Sequence, residues 1–594
     1  MDDGFPRKVR VSLVIALLSI MAVLQLTSIR EEVQTIDEGV HLTAGVSYWL
    51  TGDYRLNEEH PPLVKLLAAV PVLFSNPKID FESPSWQNGD QWAFAREFLY
   101  QQGNNADTLL FLGRLPMIGL CLLFGLLLYF WGRKLAGDMG GLLTLGWFAF
   151  DPNFLAHGRY ITTDIPVALG YAATLYVFVR LLERWTWQRA VVFSAVFGLT
   201  QVTKFSALFL YAIILITPVL WYYKSNTAKS IVQNVLRILG LAVVGTLVAI
   251  ALTYGGQIKK GSADPWAQSL YQERLSVIQN NKVADQPKTI QRIIAYTNPD
   301  TCTGKIIERL TLQTPIFGWS YLKGVVLVLN HDFWGHLAYV KGMHSNFGWW
   351  WYFPFAILVK TPFATLLTFC LGLFALAIRW RKNRLIKNPA ALVLFGGGML
   401  YLLWSMTSHL NLGLRHVFPF YAGVFVMIGA FLASVLRFHN IWLRLTMLGV
   451  ATLYLTSSLL TYPTYTSYFS ELVGGVNNGP KYLVDSNIDW GQDAKRLVQF
   501  TQQHNIPYVC MSYFGQASLT YYGLDNRYVP TLYDPHDPED IQCVVAISVT
   551  SLLSQDRLYS WLEAYAPDVR IGGSIYLYDF RNGRTPSPAT VQFR

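Results

Sequence analysis

Acidic and basic side chains stand at a few places where apolar residues surround them, and their types suit proton transfer and anion binding. Gln34-Thr35-Ile36-Asp37-Glu38-Gly39-Val40-His41 sets two adjacent carboxylates, Asp37 and Glu38, just past the first apolar run. A carboxylate there can take a proton from a hydroxyl group. Thr35 and Glu38 also have the spacing of a capping box, which would hold a helix start rigid. In His157-Gly158-Arg159-Tyr160-Ile161-Thr162-Thr163-Asp164-Ile165-Pro166, Asp164 opens another apolar run, as a helix N-cap or as a second functional acid. Lys204 breaks the apolar stretch 190–223. It is either a snorkelling lysine at a helix end or a cation held for an anion. Arg415, in His409-Leu410-Asn411-Leu412-Gly413-Leu414-Arg415-His416, is a second such cation and suits a phosphate clamp.

A second group of residues has metal-ligand chemistry. Asn57-Glu58-Glu59-His60-Pro61-Pro62-Leu63 offers carboxylates and an imidazole, and His331, His336 and His344 follow in a later loop. Two or three of these could hold zinc or another divalent ion. No spacing is diagnostic, and hydrogen-bonded histidines are the more ordinary reading.

The elements that must position these groups follow from composition. The 594 residues are 52% hydrophobic and only 14% charged, against roughly 25% charged in soluble domains. The mean hydropathy is +0.29. This composition argues against a water-soluble enzyme, and the net charge of +10 reads as basic loops on one membrane face rather than a nucleic-acid surface. No C-x-x-C and no phosphate-binding G-x-x-x-x-G-K-[ST] segment occurs, which removes a Cys-rich zinc site and nucleotide hydrolysis.

Runs able to cross a ~30 Å hydrocarbon layer lie near 11–29, 109–131, 139–155, 165–182, 190–203, 205–223, 238–254, 353–378, 391–407, 417–436 and 445–462. The expected fold is a polytopic α-helical membrane protein of about eleven spans. With the N-terminus cytoplasmic, Arg133 and Lys134, Arg184 and Arg189, Lys224, Lys229 and Arg237, Arg379 to Lys387, and Arg437 and Arg444 all fall on the cytoplasmic side. Loops 30–108 and 255–348 and the tail then lie outside, with the candidate acids and Lys204 on that outer surface. The short apolar stretch 63–74 is expected at the interface, and Trp349, Trp350, Trp351 and Tyr352 in an aromatic belt. This divides the chain into a membrane part, 1–462, and a small extracytoplasmic α/β domain, 463–594. In that domain helical patterns (491–504, 555–564) alternate with strand-like runs (507–513, 542–548, 574–580). Cys510 and Cys543 stand in two of those runs, either paired or as two buried thiols.

The order of Asp37-Glu38, the phrase 57–63, the segment 151–164, Thr203-Lys204 and Leu414-Arg-His-Val-Phe-Pro419 resembles the GT-C fold glycosyltransferases. Within them it is similar to the protein O-mannosyltransferases, the lipid A aminoarabinose transferases and their bacterial phospholipid carrier-dependent relatives. The tail phrase Asp485-Ser-Asn-Ile-Asp-Trp-Gly-Gln-Asp493 resembles the bacterial subgroup. The resemblance implies an inverting transfer of a sugar from a polyprenyl-phosphate donor to a lipid, glycan or protein hydroxyl at the outer face of a bacterial inner membrane. It implies Asp37 as base or acceptor-positioning group with Glu38 beside it, Asp164 as the second carboxylate, and Lys204 on the donor phosphate, with Arg415 and Arg159 as further phosphate candidates. Glu59 resembles a zinc-binding carboxylate of the aminoarabinose transferases, with His344 its preferred partner. No cofactor is fixed by the residues; a divalent metal (zinc, magnesium or manganese) is the candidate. A transporter or flippase for a lipid-linked or anionic solute is the alternative from another class, although no repeat of two related halves is visible.

Overall fold

The structure, a computed structural model, describes residues 6–222, 227–279, 291, 301–378, 388–437, 440–531, 541–584 and 586–587. Lys224, Arg379, Arg381, Lys382, Arg384 and Lys387 of the expected basic loops lie outside the described residues. Each of the eleven apolar runs carries helix. Among the described residues, seven helical segments are long and apolar enough to cross a membrane, or eight if Tyr352–Lys360 and Phe363–Ile378, bent by 115°, form one broken span. The chain is a multi-pass α-helical membrane protein; fewer segments pass on length and apolarity than the eleven apolar runs, in part because two of those runs are merged into one element.

The shortfall has physical reasons. Helix α1 (Arg7–Ser28), α2 (Ile36–Thr51) and α3 (Leu63–Leu73) are followed by α4 (Ala106–Ala149), which joins two of the expected runs into one 44-residue element. Gly137, at φ 80°, interrupts its helical geometry and lets the chain fold back. A Cβ on Gly132 would stand 2.8 Å from the Gly140 carbonyl oxygen, so the two arms touch. Next come α5 (Asp164–Glu183) and α6 (Trp187–Gln201). Helix α6 has 15 residues, about 22 Å at 1.5 Å per residue, which is short of the hydrocarbon thickness. Pro389–Ser405, with 17 residues, is similarly short.

Small residues set how the helices meet. Helix α7 (Ala228–Thr253) lies against α6, where a Cβ on Gly198 would fall 2.0 Å from the Gly245 carbonyl oxygen. Backbones approach this closely only where no side chain intervenes. Helix α8 (Phe418–Leu436) meets the second arm of α4 in the same way, a Cβ on Gly429 reaching 2.7 Å from the Gly140 oxygen. Polar N-caps start several of these helices: Asn105 accepts from the Thr108 N–H, Thr186 from Arg189 and Thr227 from Ser230.

Helix α3 buries Val64, Lys65, Ala68, Ala69 and Val72 and exposes Leu67, Val70 and Phe74, as an interfacial helix does. In the tail, helix α9 (Ala494–Gln503) covers one face of a five-stranded sheet. Its strands are β1 (Tyr508–Ser512), β2 (Asp525–Arg527), β3 (Val544–Ser548), β4 (Val569–Ile571) and β5 (Ile575–Asp579), in the order β2-β1-β3-β5-β4. β1 pairs parallel with β2 and β3, and β5 antiparallel with β3 and β4. The central β3, buried throughout, reads as a continuous apolar run because both faces are covered. Cys510 and Cys543 form a disulfide. The expected helix 555–564 is reduced to a short turn, Ser560–Ala564.

Gly198→Leu is expected to force α6 and α7 apart and lower the melting temperature of the detergent-purified protein, since overpacking costs about 1–3 kcal/mol. An unchanged melting temperature would show that the two helices have room to separate.

Candidate functional site

Four segments far apart in sequence deliver their charged groups to one place. Thr35 and Glu38 form the expected capping box at the start of α2, fixing Asp37 in its first turn. Asp164 opens α5, Lys204 sits in extended backbone just after α6, and Arg415 lies in the 3-10 turn Leu414–Val417 before α8. Lys204 Nζ is 2.5 Å from Asp164 Oδ1. Arg415 Nη1 is 3.1 Å from Asp164 Oδ2 and 3.5 Å from Asp37 Oδ2. The two carboxylates therefore sit in different environments. Asp164, 1% exposed, has a cation on each oxygen; Asp37, 25% exposed, has one distant partner among the described residues.

The tail completes this cluster. Arg415 Nε donates to Ser486 Oγ (3.1 Å), and its guanidinium lies 4.1 Å from the Trp490 ring centroid. A Cβ on Gly413 would stand 2.5 Å from Ser486 Oγ, so the close approach of the tail requires glycine there. The carbonyls of Trp490 and Gln492 accept from the N–H groups of Ile36 and Val33 (3.0 and 3.1 Å), tying the tail phrase to the start of α2.

Imidazoles surround the cluster. His60 is held well below the ordinary histidine range by burial, with His41, Lys204 and Lys65 adding to the effect and Asp164 opposing it. His336 is lowered by burial and by Arg415, with Asp37 opposing. Both are thereby kept neutral near pH 7. Lys65, pushed down to about 7 by burial, shapes the 57–63 phrase from beneath. Its Nζ donates to the Asn57 and His60 carbonyls (2.6 and 2.8 Å) and to Tyr48 Oη (2.9 Å).

Other expected site residues stand elsewhere. Glu38 is fully buried: Oε1 accepts from Arg114 Nε and the Ile161 N–H, and Oε2 from Arg114 Nη2 and the Thr35 N–H. With both oxygens engaged it holds the start of α2 against α4 and does not face the cluster. Arg159, also fully buried, donates to Glu32 Oε1 (2.7 Å) and to Ser28, so its guanidinium is engaged within the fold and not in the cluster. Burial against Glu32 consumes its charge.

The residues expected for a metal have partners of their own. Glu59 Oε1 accepts from the amides of Asn57 and Gln91 (3.1 and 3.0 Å), while His344 Nε2 is 2.8 Å from the Leu553 carbonyl. His331 and His336 pair with each other at 3.1 Å. Among the described residues no three His, Cys, Asp or Glu side chains are grouped to hold a metal ion.

Sequence reasoning missed the ion pairs Arg114–Glu38 and Arg159–Glu32 and the tail residues Ser486 and Trp490. One signal was present: Arg114 stands inside the apolar run 109–131, where an ionisable residue needs a partner.

Residues 106–253, which include Asp164 and Lys204, match the family described as dolichyl-phosphate-mannose-protein mannosyltransferase. The chain is similar to ArnT from Cupriavidus metallidurans bound to undecaprenyl phosphate at 12% identity and TM-score 0.44, over 95% of this chain and 97% of that one. It is similar to the apo oligosaccharyltransferase of Archaeoglobus fulgidus at 14% identity and TM-score 0.45, over 78% of this chain and 55% of that one. A third likeness is to the S. cerevisiae protein O-mannosyltransferase complex bound to the sugar donor, at 21% identity and TM-score 0.32, over 41% and 33%. The chain thus spans little more than half of the archaeal enzyme and a third of the yeast one. Among curated proteins no relative matches.

Two outcomes follow from the supporting shell. Glu38→Gln leaves Arg114 buried without its anion, so thermal unfolding should show a loss of about 3–5 kcal/mol; a wild-type melting curve would mean that Arg114 finds another partner. Asp489 is fully buried, with Oδ2 accepting from the Thr550 N–H, and burial pushes it up to about 7. A group whose folded pKa is raised adds stability that is complete below about pH 4 and lost as pH climbs towards 7. Asp489→Asn should therefore narrow the difference in melting temperature between pH 5 and pH 8, and an equal difference in both proteins would assign the pH dependence to other groups.

Proposed function

We propose that the protein is an inverting glycosyltransferase that moves a hexosyl or pentosyl group from a polyprenyl-phosphate donor to a hydroxyl of a lipid, glycan or protein acceptor. The observation that carries this reading is the asymmetry of the two carboxylates: Asp37 is open, while Asp164 is locked between Lys204 and Arg415. Two acids in contrasting environments take different roles. Asp37 accepts the proton of the acceptor hydroxyl, whose oxygen forms a bond to the anomeric carbon as the bond from that carbon to the phosphate oxygen breaks. Lys204 and Arg415 meet the negative charge on the departing lipid phosphate. Asp164 is a positioning residue for both cations, and Glu38 for the helix start that bears Asp37. One displacement inverts the anomeric centre. The match of residues 106–253 to a mannosyltransferase family supports this over the transporter alternative. The relatives bound to undecaprenyl phosphate and to a sugar donor name the donor class to test.

The proposed setting is the bacterial inner membrane, with the N-terminus cytoplasmic and the reaction outside. Arg10 and Arg133 share Asp138, Lys134 pairs with Glu183, and Arg437 donates to the Ala136 carbonyl. Arg10, Arg133, Lys134 and Arg437 therefore lie near one another, which supports a common cytoplasmic side for their loops. The disulfide in the tail supports an oxidising compartment for the other end. The division into a membrane part, 1–462, and an outer domain, 463–594, goes with this reading.

The test is release of free polyprenyl phosphate from a panel of polyprenyl-phosphate sugars mixed with envelope acceptors. Asp37→Asn is expected to keep donor binding and lose about 10²–10⁴ in rate. A variant turning over at the wild-type rate would remove Asp37 as base, and donor transport without transfer by the wild type would overturn the enzymatic reading.

A further inference from the structure

A cavity of about 270 Å³ lies where α1 ends, α4 begins and α9 of the tail crosses both. Its wall carries three cations, Arg30, Arg114 and Lys495, and the apolar side chains of Leu110 and Phe111. Two of the cations are already matched. Arg114 pairs with Glu38 and Lys495 with Asp107, at 2.7 and 2.5 Å. The carboxylate of Glu32, also on the wall, is taken up by Arg159 and Arg496. Arg30 is exposed and has no hydrogen-bond or ion-pair partner among the described residues. It stands at the last turn of the candidate span Arg7–Glu31, and the end of a span is where lipid headgroups meet hydrocarbon. Below it on α4, Phe111 and Leu115 are 38% and 37% exposed and face outward from the bundle.

An unmatched guanidinium over an apolar wall at a span end has the chemistry of a phosphodiester site: planar donors for phosphate oxygens, with hydrocarbon alongside. A soluble anion would gain nothing from Leu110, Phe111 and Leu115. We infer that this cavity binds the headgroup phosphate of an anionic membrane phospholipid, with Arg30 as its principal ligand and Lys495 at its rim. The site is distinct from the Asp37–Asp164–Lys204–Arg415 cluster and does not depend on the proposed reaction. Through Arg114 and Glu38 an occupant would brace the start of α2.

Native mass spectrometry of the full-length protein in detergent tests this, with phosphatidylglycerol and phosphatidylcholine of the same acyl chains and with no donor or acceptor present. One phosphatidylglycerol is expected to remain bound in preference to phosphatidylcholine. Arg30→Gln should weaken its retention by about fivefold, the worth of one cation at a membrane surface, while Arg96→Gln, away from the cavity, should not. Arg30 is exposed and unpartnered, so its variant is expected to melt as the wild type does. Equal retention of the two lipids, or equal loss in the Arg30 and Arg96 variants, would overturn the inference. Displacement by glycerol phosphate at the lipid's own concentration would assign the cavity to a soluble phosphate and overturn the lipid.

Discussion

Burying a carboxylate costs several kcal/mol unless cations and hydrogen-bond donors replace its water, and the arrangement around Asp164 is organised by that cost. Lys204 and Arg415 each take one of its oxygens, Lys204 from extended backbone after α6 and Arg415 from the 3-10 turn before α8. The close packing of α6 on α7, the glycine at 413 and the turn before α8 are the means by which two long side chains arrive at one buried acid. Asp37 is then the group of the cluster with spare capacity to interact.

The same constraint reaches into the tail. Arg415 spans from Asp164 to Ser486 and lies over Trp490, while the Trp490 and Gln492 carbonyls hold the segment that starts α2. Below this, Arg496 of α9 contacts Asp493 and Glu32, and Glu32 in turn takes Arg159. The tail is therefore part of the scaffold around the cluster. Its removal would disturb Arg415 and Asp37 as well as any acceptor contact, so truncation alone cannot separate recognition from support.

What was legible in the sequence divides along the same physical line. Residue type and local spacing revealed Asp37, Asp164, Lys204 and Arg415, because an ionisable group at the edge of an apolar run stands out against its neighbours. The capping box of Thr35 and Glu38 was readable because it is made within four residues. The partners of Glu38 and Arg159 were not readable. Arg114 is 76 positions from Glu38, and Glu32 is 127 from Arg159, and nothing local marks such a pair. Arg159 looked like an anion ligand because its neutralising acid lay across the fold. Helices were legible as apolar runs, but their lengths were not: Gly137 can end a helix or, as here, fold one back on itself. The tail phrase was recognisable as a motif, yet nothing in its spacing showed that Ser486 and Trp490 would meet Arg415.

Asp164 also neutralises the cations that the proposed reaction needs, which looks self-defeating until rigidity is weighed against charge. A free lysine or arginine in water reorients and resolvates as negative charge develops, and that reorganisation is part of the barrier. Here Arg415 is fixed on one edge by Asp164, on another by Ser486, and across its face by Trp490. Lys204 is fixed by Asp164. Donors of fixed direction can stabilise a departing phosphate without first moving. The carboxylate thus lowers the net positive charge of the site but supplies the geometry, and a phosphate arriving between Lys204 and Arg415 would meet groups already in place.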